Sequence, residues 1–107
     1  MKLHWFYILL SISSSPRYGT AVQEDVHELS GGAVRLWPAT LYGSFEELVT
    51  RGWIEEIADS DRPGSITGRE RFYRLTESGR EALRTELERM ESRVGAARAR
   101  LDGERNS

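Results

Sequence analysis

Near the end of the chain, Leu83, Leu87, Met90, Val94, Ala97 and Leu101 recur at intervals of four, three, four, three and four. Apolar residues at that spacing form one stripe along a helix, and three heptads of it exceed what a small core needs. Thr76 is a suitable N-cap and Glu77 suits the positive end of the helix dipole. The spacing therefore predicts a long helix over residues 77–101, with a polar, disordered tail at 102–107. Arg84, Glu86, Glu91 and Arg93 flank the stripe with mixed charge. A second copy of the helix is the expected cover, which makes Leu83, Leu87, Met90, Val94 and Leu101 a dimer interface. Folding back onto its own domain is the alternative.

The preceding 76 residues read as one domain. Helix one is expected over residues 3–13, with Phe6, Leu9 and Leu10 inward, ended by three serines and Pro16. Helix two is expected over residues 19–29, with Val22, Val26 and Leu29 on one face, and Thr20 with Gln23 matches a capping box. Ser30-Gly31-Gly32 ends it. Helix three covers residues 38–51: Pro38 suits the first position, Leu41, Phe45, Leu48 and Val49 form the apolar face, and Gly52 is the stop. Its outer tip holds Ala39, Thr40, Gly43 and Ser44 beside Tyr42, a small, hydroxyl-bearing surface suited to close approach. Two helices joined through a Gly-containing turn, the second with a polar leading face, form the helix-turn-helix pattern. After Gly52 the period becomes that of strands, at residues 53–58 and 69–75, joined by a loop with Asp-Arg-Pro-Gly. The alternation puts Arg69, Arg71, Tyr73 and Leu75 on one strand face.

Charge narrows the function. The formal net charge is −2 across 107 residues, yet residues 61–74 carry Arg62, Arg69, Arg71 and Arg74 against Asp61 and Glu70. A local basic patch governs nucleic-acid binding more than the total does. Without cysteine, disulfides and thiolate metal sites are excluded, and His4 and His27 lack ligand spacing. No acid, base and nucleophile constellation is visible, so an enzyme, a metal and a cofactor are not expected. The apolar run from Trp5 to Leu10 is too short to span a membrane and lacks a cleavage signal after it.

Four segments then carry a resemblance: Arg17-Tyr18-Gly19, the run from Gly32 to Gly43 containing Trp-Pro-Ala-Thr-Leu-Tyr, Gly52-Trp-Ile-Glu-Glu, and Arg71-Phe-Tyr-Arg-Leu-Thr-Glu-Ser-Gly79. Together they resemble the PadR family of bacterial winged-helix regulators, in its short branch with a single C-terminal helix. The resemblance spans about residues 5–100. It implies a mainly α fold with a two-stranded β wing: a winged helix-turn-helix over residues 1–76 and a dimerisation helix over 77–101. It implies a cytoplasmic, nucleoid-associated homodimer that binds double-stranded DNA at a pseudo-palindromic operator, usually as a repressor. By the same resemblance, helix three enters the major groove and the hairpin meets the backbone. The expected DNA contacts are Arg17, Tyr18, Arg35, Thr40, Tyr42, Ser44, Arg62, Arg69 and Arg71. Some relatives hold a flat aromatic compound between subunits, which makes Trp5 and Phe6 candidates for an effector site; packing in the core or interface is the plainer role for Trp5. The family often has a small residue where Trp37 stands, so the usual cap of helix three is missing. The rival function is a protein–protein module that uses the last helix without DNA, a reading the acidic first sixty residues support.

Overall fold

The computed structural model describes residues 1–57 and 71–105. Its elements are α1 (Leu3–Ser11), β1 (Arg17–Tyr18), α2 (Gly19–Leu29), α3 (Pro38–Thr50), β2 (Ile54–Glu56), β3 (Phe72–Leu75) and α4 (Glu77–Arg105). One core joins them: Ile8 and Leu9 from α1 with Ile12 just after it, Val22 and Val26 from α2, Leu41, Phe45 and Leu48 from α3, then Ile54, Tyr73 and Leu83.

The ends of α2 and α3 follow from local chemistry. After α3, Gly52 takes a φ of 75°, which a residue with a Cβ resists. Its N–H donates to the Val49 carbonyl at 2.9 Å, and the Trp53 N–H donates to Leu48 at 3.0 Å, the paired bonds of a Schellman stop. α2 closes likewise: the Gly32 N–H donates to His27 and the Gly31 N–H to Glu28. The expected capping box at its start does not form. Tyr18 occupies the N-cap without a side-chain bond, and the Gln23 amide donates instead to the Leu36 carbonyl.

The sheet has three strands rather than two, in the order β1-β3-β2. β1 pairs antiparallel with β3, Arg17 opposite Tyr73 and Tyr18 opposite Phe72. β2 pairs with the other edge of β3, Ile54 opposite Leu75 and Glu56 opposite Tyr73. Both Phe72 and Tyr73 are buried, so the strand is covered on both faces, and Tyr73 keeps the expected face with Arg71, the two lining one groove. The Tyr73 ring stacks on Phe45 with centroids 4.3 Å apart, which locks α3 to the sheet. Phe72 meets the edge of Tyr18 at 5.3 Å.

α1 stops at Ser11, two residues short of the expectation. Trp5 and Phe6 are both buried, as are Ile8 and Leu9, while Leu10 is half-buried. Leu29 and Val49, expected to face inward, stand exposed. His4 lies edge-on to Trp5, with its pKa lowered from the ordinary 6.5 by burial and then by the Lys2 charge. A depressed histidine pKa means the unfolded chain binds more protons in that window, so stability falls as pH drops through 6.5. Melting curves between pH 5 and pH 7.5 should show a decline that His4→Gln makes shallower. An unchanged slope would remove His4 as its source.

α4 reaches Arg105, four residues beyond the predicted end, so residues 102–105 are helix and not tail. Once a helix is nucleated, each added residue brings its own backbone hydrogen bond. The apolar stripe divides. Leu83 is buried in the chain's own core and Met90 is partly buried against it. Between them Glu86 is buried too, with Arg89 and Arg93 guanidinium nitrogens at 3.4 and 3.8 Å and the Met1 ammonium at 3.5 Å. Leu87, Val94 and Leu101, one heptad apart, remain exposed. The outer part of α4 extends beyond the domain and gives the chain extents of 62 × 27 × 22 Å. Among the described residues, no helix is long and apolar enough to cross a membrane.

Candidate nucleic-acid interface

α3 buries Leu41, Ser44, Phe45 and Leu48 and leaves Ala39, Thr40, Tyr42, Gly43, Glu46 and Glu47 outside. Ser44 is therefore not on the outer tip, contrary to the sequence expectation. Its side chain turns inward and its hydroxyl donates to the Thr40 carbonyl at 2.7 Å, which satisfies it without solvent. Thr40 itself is exposed. Tyr42 is half-exposed, its ring edge-on to Phe45. Its hydroxyl leans over the start of α2, so close that a Cβ on Gly19 would sit 3.1 Å from it.

α3, the start of α2 and the sheet enclose an open groove, lined among others by Tyr18, Thr20, Tyr42, Glu46, Glu56 and Arg71. Its hydroxyls and the Arg71 guanidinium suit phosphate oxygens, whereas Glu46, Glu47 and Glu56 in the same lining repel them. The side chain of Arg71 is 70% exposed, with Nε 4.0 Å from the Glu56 carboxylate. That loose pairing at an exposed site contributes little, and the guanidinium also donates a hydrogen bond to the Tyr73 side chain. Arg74 is paired more closely, with Glu55 at 2.5 Å. Burial pushes the Tyr73 phenol above its ordinary value, and the Glu56 charge adds to this, so Tyr73 stays protonated.

The other expected contacts are divided by the fold. Arg17 donates from Nε to the Ser11 carbonyl at 2.8 Å and lies 3.8 Å from Asp25. It thereby ties off the end of α1, a structural task. Arg35 is exposed, its guanidinium 5.6 Å over the Trp37 ring. Arg62 and Arg69 lie outside the described residues. Trp5 has one face under Lys2 and meets Arg51, each at 4.9 Å, with Trp53 edge-on at 6.2 Å, so it is not an open ligand platform in a single chain. Trp37 was not singled out as a contact, yet it is 62% exposed at the entrance to α3. A tryptophan directly before a helix-opening proline, two residues after Arg35, was the signal for it.

Comparison with known proteins agrees with this geometry. A transcriptional regulator from Clostridium thermocellum superposes with a TM-score of 0.73 at 21% identity, covering 89% of this chain and 86% of that one. RosR from H. salinarum gives 0.67 at 25% identity, over 87% and 76%. PadR from Bacillus subtilis, solved in complex with operator DNA, gives 0.67 at 20% identity, over 81% of this chain and 48% of that chain. No curated protein sequence matches the chain. The PadR-like family of transcriptional regulators matches residues 8–85, from the core of α1 through the sheet to the packed start of α4, and the chain belongs to that family.

Proposed function

We propose that this chain is a dimeric, sequence-specific DNA-binding regulator, a repressor released by a small aromatic ligand and acting in the cytoplasm on the nucleoid. One observation carries the DNA reading. The leading half of α3 shares one groove with Arg71 through Ala39, Tyr42 and Gly43, and Thr40 stands exposed on the same two turns. Recognition helices read bases with their N-terminal residues, and cations next to them hold the phosphates. The solved PadR of Bacillus subtilis is seen with operator DNA, which supports the same use here. The divisions that follow are a winged helix-turn-helix over residues 1–76 and a dimerisation helix from residue 77 onward.

Two copies joined through α4 would place two α3 helices in successive major grooves, with half-sites about 34–36 Å apart. Selection from random DNA should enrich one pseudo-palindrome. Arg71→Ala should weaken binding to every duplex alike and flatten the plot of log K against log salt by about 0.9, one phosphate contact. Thr40→Ala should instead lower affinity for the selected site more than for random DNA. Selection that enriches nothing would return the chain to a protein–protein module built on α4, a reading that Glu46 and Glu47 on α3 favour.

For the effector, a flat aromatic ligand at Trp5 and Phe6 would displace Arg51 or Lys2 from the indole. It should quench tryptophan emission and weaken DNA binding, because a ligand that prefers the unbound form lowers DNA affinity by linkage. Quenching that persists unchanged in Trp5→Phe would place the ligand elsewhere.

A further inference from the structure

We propose that Arg35 and Trp37 form a preformed contact to the DNA backbone at the leading end of α3. The indole lies against a deoxyribose and donates its Nε1–H to a phosphate oxygen, and Arg35 takes the neighbouring phosphate. The inference rests on the DNA reading above and extends it to residues outside α3.

Trp37 is 62% exposed, the highest value among the exposed large apolar residues described, whereas Trp5 is 4% exposed and Trp53 half-buried. Covering the indole with a partner removes its apolar surface from water, which favours contact. Its position is held from both sides. Trp37 is extended, with φ −76° and ψ 153°, the conformation that the following Pro38 favours. Its carbonyl accepts the Leu41 N–H at 2.9 Å, the first bond of α3. Leu36, one residue earlier, is 1% exposed, and its carbonyl is held by the Gln23 amide. The Val34 N–H donates to the Ser30 hydroxyl at 2.9 Å. With Leu36 pinned inward, the residues on either side of it turn outward together, which brings the Arg35 guanidinium 5.6 Å over the indole.

Chemistry selects the occupant. A cation stacked on an aromatic face offers N–H donors and an apolar plane together, a match for a sugar and its phosphates. The hollow that the pair shares with α2 is also lined by Glu24, His27 and Glu28, and the two carboxylates turn an anion away from that side. Trp37 immediately precedes the first turn of α3, so a duplex docked on that helix meets the pair away from the carboxylates. A backbone contact carries no sequence preference, so the pair should add affinity for all DNA.

The test uses the full chain and an end-labelled mixed-sequence duplex. Trp37→Ala should weaken binding about tenfold, the scale of one well-packed contact, with unchanged circular dichroism. Trp37→Phe should lose less, because it keeps the plane and lacks the N–H. Wild-type emission should change on adding duplex, and Trp37→Phe should abolish that change, since Trp5 and Trp53 lie away from the contact. Arg35→Ala should reduce the salt slope by about 0.9. Full affinity in Trp37→Ala, while Arg71→Ala still weakens binding, would overturn the pair and leave the DNA reading intact. An emission change that survives Trp37→Phe would also overturn it. A wild-type chain that binds no duplex would instead remove the DNA reading itself.

Discussion

Gly79→Ala should unfold this protein or cost it at least ~3 kcal/mol, although alanine is the better helix former by about 1 kcal/mol. Gly79 lies in the first turn of α4, and a Cβ there would fall 2.0 Å from the Trp53 carbonyl oxygen, 2.8 Å from its carbon and 2.8 Å from a Leu75 methyl. The first two are backbone atoms and cannot swing aside. They are also held: the Trp53 carbonyl accepts the Thr76 N–H at 3.0 Å, the Thr76 hydroxyl donates to the Gly52 carbonyl, and the Gly79 N–H donates back to that hydroxyl at 3.0 Å. This knot fastens the start of α4 to the turn that ends α3. It gives the Leu-Thr-Glu-Ser-Gly run its physical meaning: a cap, a tie and a point of close approach within five residues. Thermal unfolding should show a midpoint lowered by roughly 12 °C or more, given 4–8 °C per kcal/mol for a domain near this size. Gly95→Ala is the control. Gly95 lies on the exposed part of α4 with open space around it, and the substitution should raise the midpoint slightly. Equal melting of Gly79→Ala and the unsubstituted chain would show that the two segments do not approach so closely.

Leu87→Asp should give a monomer with an intact fold and cost at least about a hundredfold in affinity for a two-fold DNA site, because linked half-sites gain 10²–10⁴ in avidity. Leu87 is 43% exposed in the single chain, so a carboxylate there is solvated until a partner covers it. Val94→Asp should behave in the same way. Leu83→Asp should not, because Leu83 is 7% exposed inside the domain's own core and its replacement would unfold the chain. The expected interface of Leu83, Leu87, Met90, Val94 and Leu101 thus splits by consequence, with Leu87, Val94 and Leu101 the members left for a partner. Sedimentation measures the outcome, and a dimer that persists in Leu87→Asp would refute the proposed stripe.

The sequence by itself determined what depends on neighbours along the chain. Pro38 and Gly52 delimit α3, Gly31 and Gly32 close α2, and Thr76 opens α4, because caps and backbone angles are set within a few residues. The resemblance carried the fold further than composition did, since a net charge of −2 alone points away from DNA. What only the tertiary structure decided concerns surfaces from distant segments. β1 is two residues long and has no periodicity to read; it exists because β3 presents a free edge. Ser44 turned inward because its hydroxyl finds the carbonyl four residues back, at a position the packed face of α3 needed filled. Trp5 was claimed by Trp53 and Arg51. The α4 stripe divided because α1 covers the side holding Leu83 and Met90 and cannot reach the side holding Leu87. A periodic pattern states that a face is apolar; which apolar face gains the nearer cover is a competition between segments far apart in sequence, settled only when they pack.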